Sequence, residues 1–100
     1  MADPVRIVAL RLLRAMNDLG ARGRTDVNVG LDPGVLERAG LSLDSDLLDP
    51  AMEWLLSDGA LRNNYAMDAV AAGVAAAKPY GIHFNITERG FALLNIHPNV

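Results

Sequence analysis

The chain has 100 residues, half of them apolar and a fifth charged, with a net charge of −3 and no cysteine. That length suits one domain with a single core, and the missing cysteines exclude disulfides, thiolate metal sites and cysteine nucleophiles. No apolar run approaches the roughly 20 residues a membrane span needs, and Met1-Ala2-Asp3-Pro4 lacks the basic-then-apolar order of a signal peptide, so a cytoplasmic protein is expected.

Three Asp-Pro pairs punctuate the chain: Asp3-Pro4, Asp32-Pro33 and Asp49-Pro50. Aspartate accepts the orphan N–H groups of a first helical turn, and proline suits the next position, so each pair nominates a helix start. After the first pair, Val5, Val8, Ala9, Leu12, Met16 and Leu19 fall on one helical face, and Gly20 stands where a left-handed cap would close it. From Asp26 to Asp32, Val27, Val29 and Leu31 alternate with Asn28 and Gly30, a short strand pattern. The second pair opens a brief helix, Val35 to Ala39, ended by Gly40. Leu41-Ser42-Leu43 makes a turn, and a third helix runs through Ala51, Met52, Leu55 and Leu56 to Asp58-Gly59. It starts either near Asp44 with a kink at Pro50 or at Pro50 itself, since an interior proline bends or breaks a helix. Ile82, Phe84 and Ile86 alternate with His83 and Asn85 as a second strand. Thr87 then caps a last helix, Glu88 to Asn95, expected to bury Phe91 and Leu94; Trp54 is expected in the core.

The order helix, short strand, helix, turn, helix, strand, then a strand running into a final helix resembles the winged-helix family. The motifs that carry the likeness are Leu36-Glu37-Arg38-Ala39-Gly40-Leu41-Ser42, Met52-Glu53-Trp54-Leu55-Leu56-Ser57-Asp58-Gly59-Ala60-Leu61, and Phe84-Asn85-Ile86-Thr87-Glu88-Arg89-Gly90-Phe91-Ala92-Leu93-Leu94. The resemblance implies a single α+β domain over residues 1–100, a small helical bundle with a short antiparallel sheet. It implies DNA binding in most members and protein contacts in a sizeable minority. The departure lies between Leu61 and Ile82, where the family has a basic wing between two strands and this chain has an alanine-rich run. Ala66, Ala69, Val70, Gly73, Val74 and Ala77 follow helical spacing there, and Ala69, Gly73 and Ala77 place small side chains on one strip. A helix apolar all round has to be covered, by the domain's own core or by a second copy in a homodimer.

No enzyme chemistry stands out: the chain lacks a phosphate-binding glycine loop, a nucleophile elbow and zinc-protease spacing. His83 and His97 carry no nearby carboxylate motif. Asp44, Asp46, Asp49 and Glu53 do not follow calcium-loop spacing and are what a first helical turn favours anyway. Neither a cofactor nor a metal is expected.

Charge is unevenly spread. Asp26 to Asp58 holds eight carboxylates and one arginine, a local −7, across the very segment laid out as a helix-turn-helix. The cations are elsewhere: Arg6, Arg11, Arg14, Arg22 and Arg24 near the start, and Arg62 just past the third helix. Arg6, Arg11 and Arg14 fall opposite the core stripe of the first helix, either solvated or placed for phosphate contacts. Ile7 and Leu10 share that face and hint at a partner surface. Two readings compete. The domain acts through protein–protein interaction or homodimerisation, as a regulatory module, or it is a DNA-binding transcriptional regulator whose arginines neutralise phosphates.

Overall fold

Asp3 and Asp32 act as the sequence suggests. In the computed structural model, which describes residues 3–64, 78–81 and 83–100, their carboxylates accept the backbone N–H of Val5 at 3.0 Å and of Val35 at 2.9 Å. They open helix α1, Pro4–Met16, and helix α2, Pro33–Arg38. The third pair behaves differently. Helix α3, Leu48–Asp58, begins before it, with Leu47 as a cap that offers no side-chain bond. Pro50 therefore occupies the first turn, where its missing N–H costs nothing, so neither expected start holds and no interior proline is present to kink the helix. The chain enters α3 through Ser45, whose hydroxyl accepts from Ser42 N–H at 2.9 Å and whose carbonyl accepts from Leu48 N–H at 3.1 Å.

The rest of the architecture is α1, a π-helical turn Asn17–Ala21, strand β1 Asn28–Gly30, α2, α3, strand β2 Leu61–Asn63, strand β3 His83–Ile86 and helix α4 Glu88–Ile96. The three strands form one antiparallel sheet in the order β1-β3-β2, with Val29 opposite Phe84 and Leu61 opposite Ile86. The inner face of this sheet (Val29, Leu61, Phe84 and Ile86) closes on a helical layer built from Leu12, Leu13 and Met16 of α1 and Leu48, Met52 and Leu55 of α3; all ten are buried. Leu93 and Leu94 of α4 complete the core.

Several expectations change. The π turn adds a residue to the helical repeat and rotates the chain beyond it, so Leu19 leaves the core face and is 45% exposed. The stop also moves past Gly20 to Arg22 (φ 49°) and Gly23 (φ 83°), with Asn17 Oδ1 accepting Gly23 N–H at 2.7 Å. Leu10, expected on a partner surface, is buried at 3% exposure, and Ile7 is half-buried. Asn85, expected on the polar side of its strand, is buried because the chain entering β1 lies over it: its Nδ2 donates to Val27 O at 3.1 Å. Phe91 and Trp54 are half-buried, packed against the core rather than inside it. Gly40 (φ 75°) closes α2 as expected, with Leu41 N–H donating back to Leu36 O at 2.8 Å. The alanine-rich run, with Ala66, Ala69, Val70, Gly73, Val74 and Ala77, lies outside the described residues, as does the strand position Ile82.

Candidate functional site

The face formed by α2, α3 and the turn between them is acidic. Asp44, Asp46, Asp49 and Glu53 are all exposed, and α3 has no lysine or arginine of its own. Asp49 is engaged: its Oδ1 accepts from Lys78 Nζ at 2.9 Å and from Tyr80 hydroxyl at 2.7 Å. Those two bonds, the tyrosine's first, hold the Asp49 carboxyl below the ordinary aspartate range. Partial burial, then the Asp49 bond and charge, push the Tyr80 phenol well above its ordinary value. Lys78 also donates to Leu43 O at 3.0 Å, so residues 78–80 are pinned across the start of α3. Among the described residues no three histidines or carboxylates come together as a metal site.

The arginines that sequence spacing nominates for phosphate contacts are largely occupied within the domain. Arg14 is half-buried, and its guanidinium donates to three carbonyls, Leu94 O at 3.0 Å, His97 O at 3.2 Å and Val100 O at 3.2 Å. It thus closes the C-terminal end of α4, whose last carbonyls have no partner within the helix. Arg6 lies 3.0 Å from His97 Nε2. Arg24 makes a bidentate pair with Asp26, at 3.2 and 3.0 Å, which lowers the aspartate's pKa first through the hydrogen bond and then through charge. Arg38, in the last turn of α2, lies 3.6 Å from Asp18, and Arg89 pairs with Asp58 at 3.0 Å. Arg11, Arg22 and Arg62 are exposed and have no ion pair among the described residues. Arg62 stands on the outer face of the sheet, in one row with Asn85 and Asn28.

Two concave surfaces border these groups. One, of about 490 Å³, lies between α1, the end of α2 and the tail, lined by Arg11, Arg14, Asp18, Arg38, Pro98 and Val100. The other, of about 560 Å³, runs beside β1 and is largely apolar, with Leu19, Val35 and Leu43 on its walls and Asp32 and His83 as its titratable groups. Sequence periodicity missed this groove, because it arises where the π turn displaces Leu19 and where Leu43 leaves the turn before α3. The alternation at Val27–Leu31 marked the strand but not that its far side is open.

Among the described residues no helix is long and apolar enough to cross a membrane. No protein-family model, curated protein or solved structure matches the chain.

Proposed function

We propose that this chain is a non-enzymatic, winged-helix-like regulatory domain that acts through protein contacts. The element order and the β1-β3-β2 sheet packed on α1 and α3 support the winged-helix reading. One observation carries the choice of partner: the exposed side of the helix-turn-helix is acidic, while five of the domain's arginines, Arg6, Arg14, Arg24, Arg38 and Arg89, are spent on internal partners. Affinity for a duplex comes chiefly from cations set against phosphates. A face built from Asp44, Asp46, Asp49 and Glu53 repels that polymer and favours a basic or apolar protein surface.

DNA binding is the second reading, favoured by Arg11, Arg22 and Arg62, which point outward without an ion pair among the described residues. Fluorescence anisotropy with a random duplex at physiological salt separates the two. The protein-contact reading expects no binding tighter than about 10 µM. Sub-micromolar, salt-sensitive binding that weakens in Arg11→Ala and Arg62→Ala would establish the DNA reading instead.

A further inference from the structure

Strand β1 is an edge strand, and the directions of its backbone groups are set by its neighbours. On the β2 side of the sheet, Asn64 N–H donates to His83 O at 2.9 Å and Thr87 N–H donates to Ala60 O at 3.1 Å. His83, Asn85 and Thr87 therefore turn their backbone groups towards β2, and Phe84, lying between, turns its own towards β1. Val29 pairs with Phe84, which leaves the N–H and C=O of both Asn28 and Gly30 directed away from the sheet. Among the described residues no backbone bond satisfies them.

The apolar groove of about 560 Å³ lies along this edge. Leu19 and Leu43, 45% and 44% exposed, stand on its walls as two of the three exposed large hydrophobic residues among those described. Asn28 Oδ1, on the same margin, is a buried acceptor with no donor among the described residues. An open row of backbone donors and acceptors beside apolar walls is the arrangement by which a sheet accepts an extended segment from another polypeptide.

Charge selects the occupant. No lysine or arginine is found among the described residues lining the groove, and Asp32 stands exposed at its rim. A second copy laid antiparallel along β1 would bring its own Asp32 and its already paired Arg24 and Asp26 to this edge, and no free cation within residues 24–32. We infer that the β1 edge and its groove take an extended segment of a partner protein, with alternate apolar side chains in the groove and lysine or arginine at its ends. This names the partner surface and chemistry for the protein-contact reading, on which it rests.

The test uses two fluorescent synthetic peptides of about ten residues, both alternating valine and threonine, one with lysines at its ends and one with glutamates, titrated with the full chain. The lysine-ended peptide is expected to bind at least about tenfold tighter than the glutamate-ended one. Gly30→Pro removes one outward N–H at a position without positive φ, and edge strands accept proline where the N–H faces outward. It should weaken the lysine-ended peptide about tenfold with an unchanged thermal melt. The exposed pair Leu19→Ser and Leu43→Ser should do the same without touching the strand. Equal binding of the two peptides, binding that all these variants leave unchanged, or no binding at about 1 mM overturns the β1 assignment, yet leaves the protein-contact reading standing as long as the duplex titration stays blank. Sedimentation showing a dimer that Gly30→Pro dissolves would give the edge to a second copy and overturn the assignment of a basic partner.

Discussion

Gly90→Ala is expected to destabilise this domain even though alanine is the better helix former. Gly90 lies in the first full turn of α4, buried, where the helix crosses the end of β3 and the start of β2. A Cβ built on it would lie 2.5 Å from Ala60 O and 2.7 Å from Ile86 Cγ2. Non-bonded heavy atoms settle near 3.5–4.0 Å, so roughly 1 Å of separation has to be found. Ala60 O has little freedom to yield, because it accepts Thr87 N–H at 3.1 Å while the Thr87 hydroxyl, donating chiefly to the neighbouring Gly59 O, lies 3.1 Å away. Ile86 is fully buried against the core. Overpacking of this kind costs about 1–3 kcal/mol, and displacing the Ala60 carbonyl from Thr87 adds about 1 kcal/mol per bond lost. The helical preference of alanine over glycine returns only about 0.5–1 kcal/mol. The net loss is about 1–3 kcal/mol from a total of about 5–15, or a fall in melting temperature of roughly 4–8 °C per kcal/mol. Urea denaturation followed by circular dichroism measures it, with Ala92→Gly on the exposed side of α4 as the gauge of local helical preference. If Gly90→Ala proved as stable as the parent or more so, the close approach of α4 to Ala60 would be refuted.

Leu55→Ala should cost about 2–5 kcal/mol in the same urea melts, since Leu55 is fully buried between α1 and the sheet; a neutral result would mean that α3 is phased differently. Tyr80→Phe should raise the Asp49 carboxyl pKa towards the ordinary aspartate value, because the tyrosine hydroxyl is the first cause of its depression. With the native pKa below the unfolded one, the Asp49 contribution to stability is present above the unfolded value of about 3.9 and is lost as pH falls through the native one. Carbon-detected NMR titration of the Asp49 carboxyl in parent and variant reads this directly, and coincident curves would remove Tyr80 from the account.

Local chemistry in the chain was enough for much of this fold. Asp3 and Asp32 cap their helices, Gly40 takes a left-handed turn, Thr87 opens α4, and Val29 and Phe84 face inward, because each outcome depends on a residue's own geometry or on spacing within one element. The entry into α3 was not legible, since the third Asp-Pro pair competes with a serine loop and Asp49 finds stronger partners in Lys78 and Tyr80, 29 and 31 residues away. Nor was the π turn, which carries Leu19 out of the helical stripe. The same holds for the cations: Arg6 and Arg14 look like a free basic face on a helical projection. Only the packing of α4 and its tail against α1 shows that Arg14 spends its donors on Leu94, His97 and Val100. Backbone capping and periodicity are decided within a few residues and so are written in the sequence. Which charges remain free and which strand edge stays open depend on contacts between distant segments, and only the tertiary structure decides them.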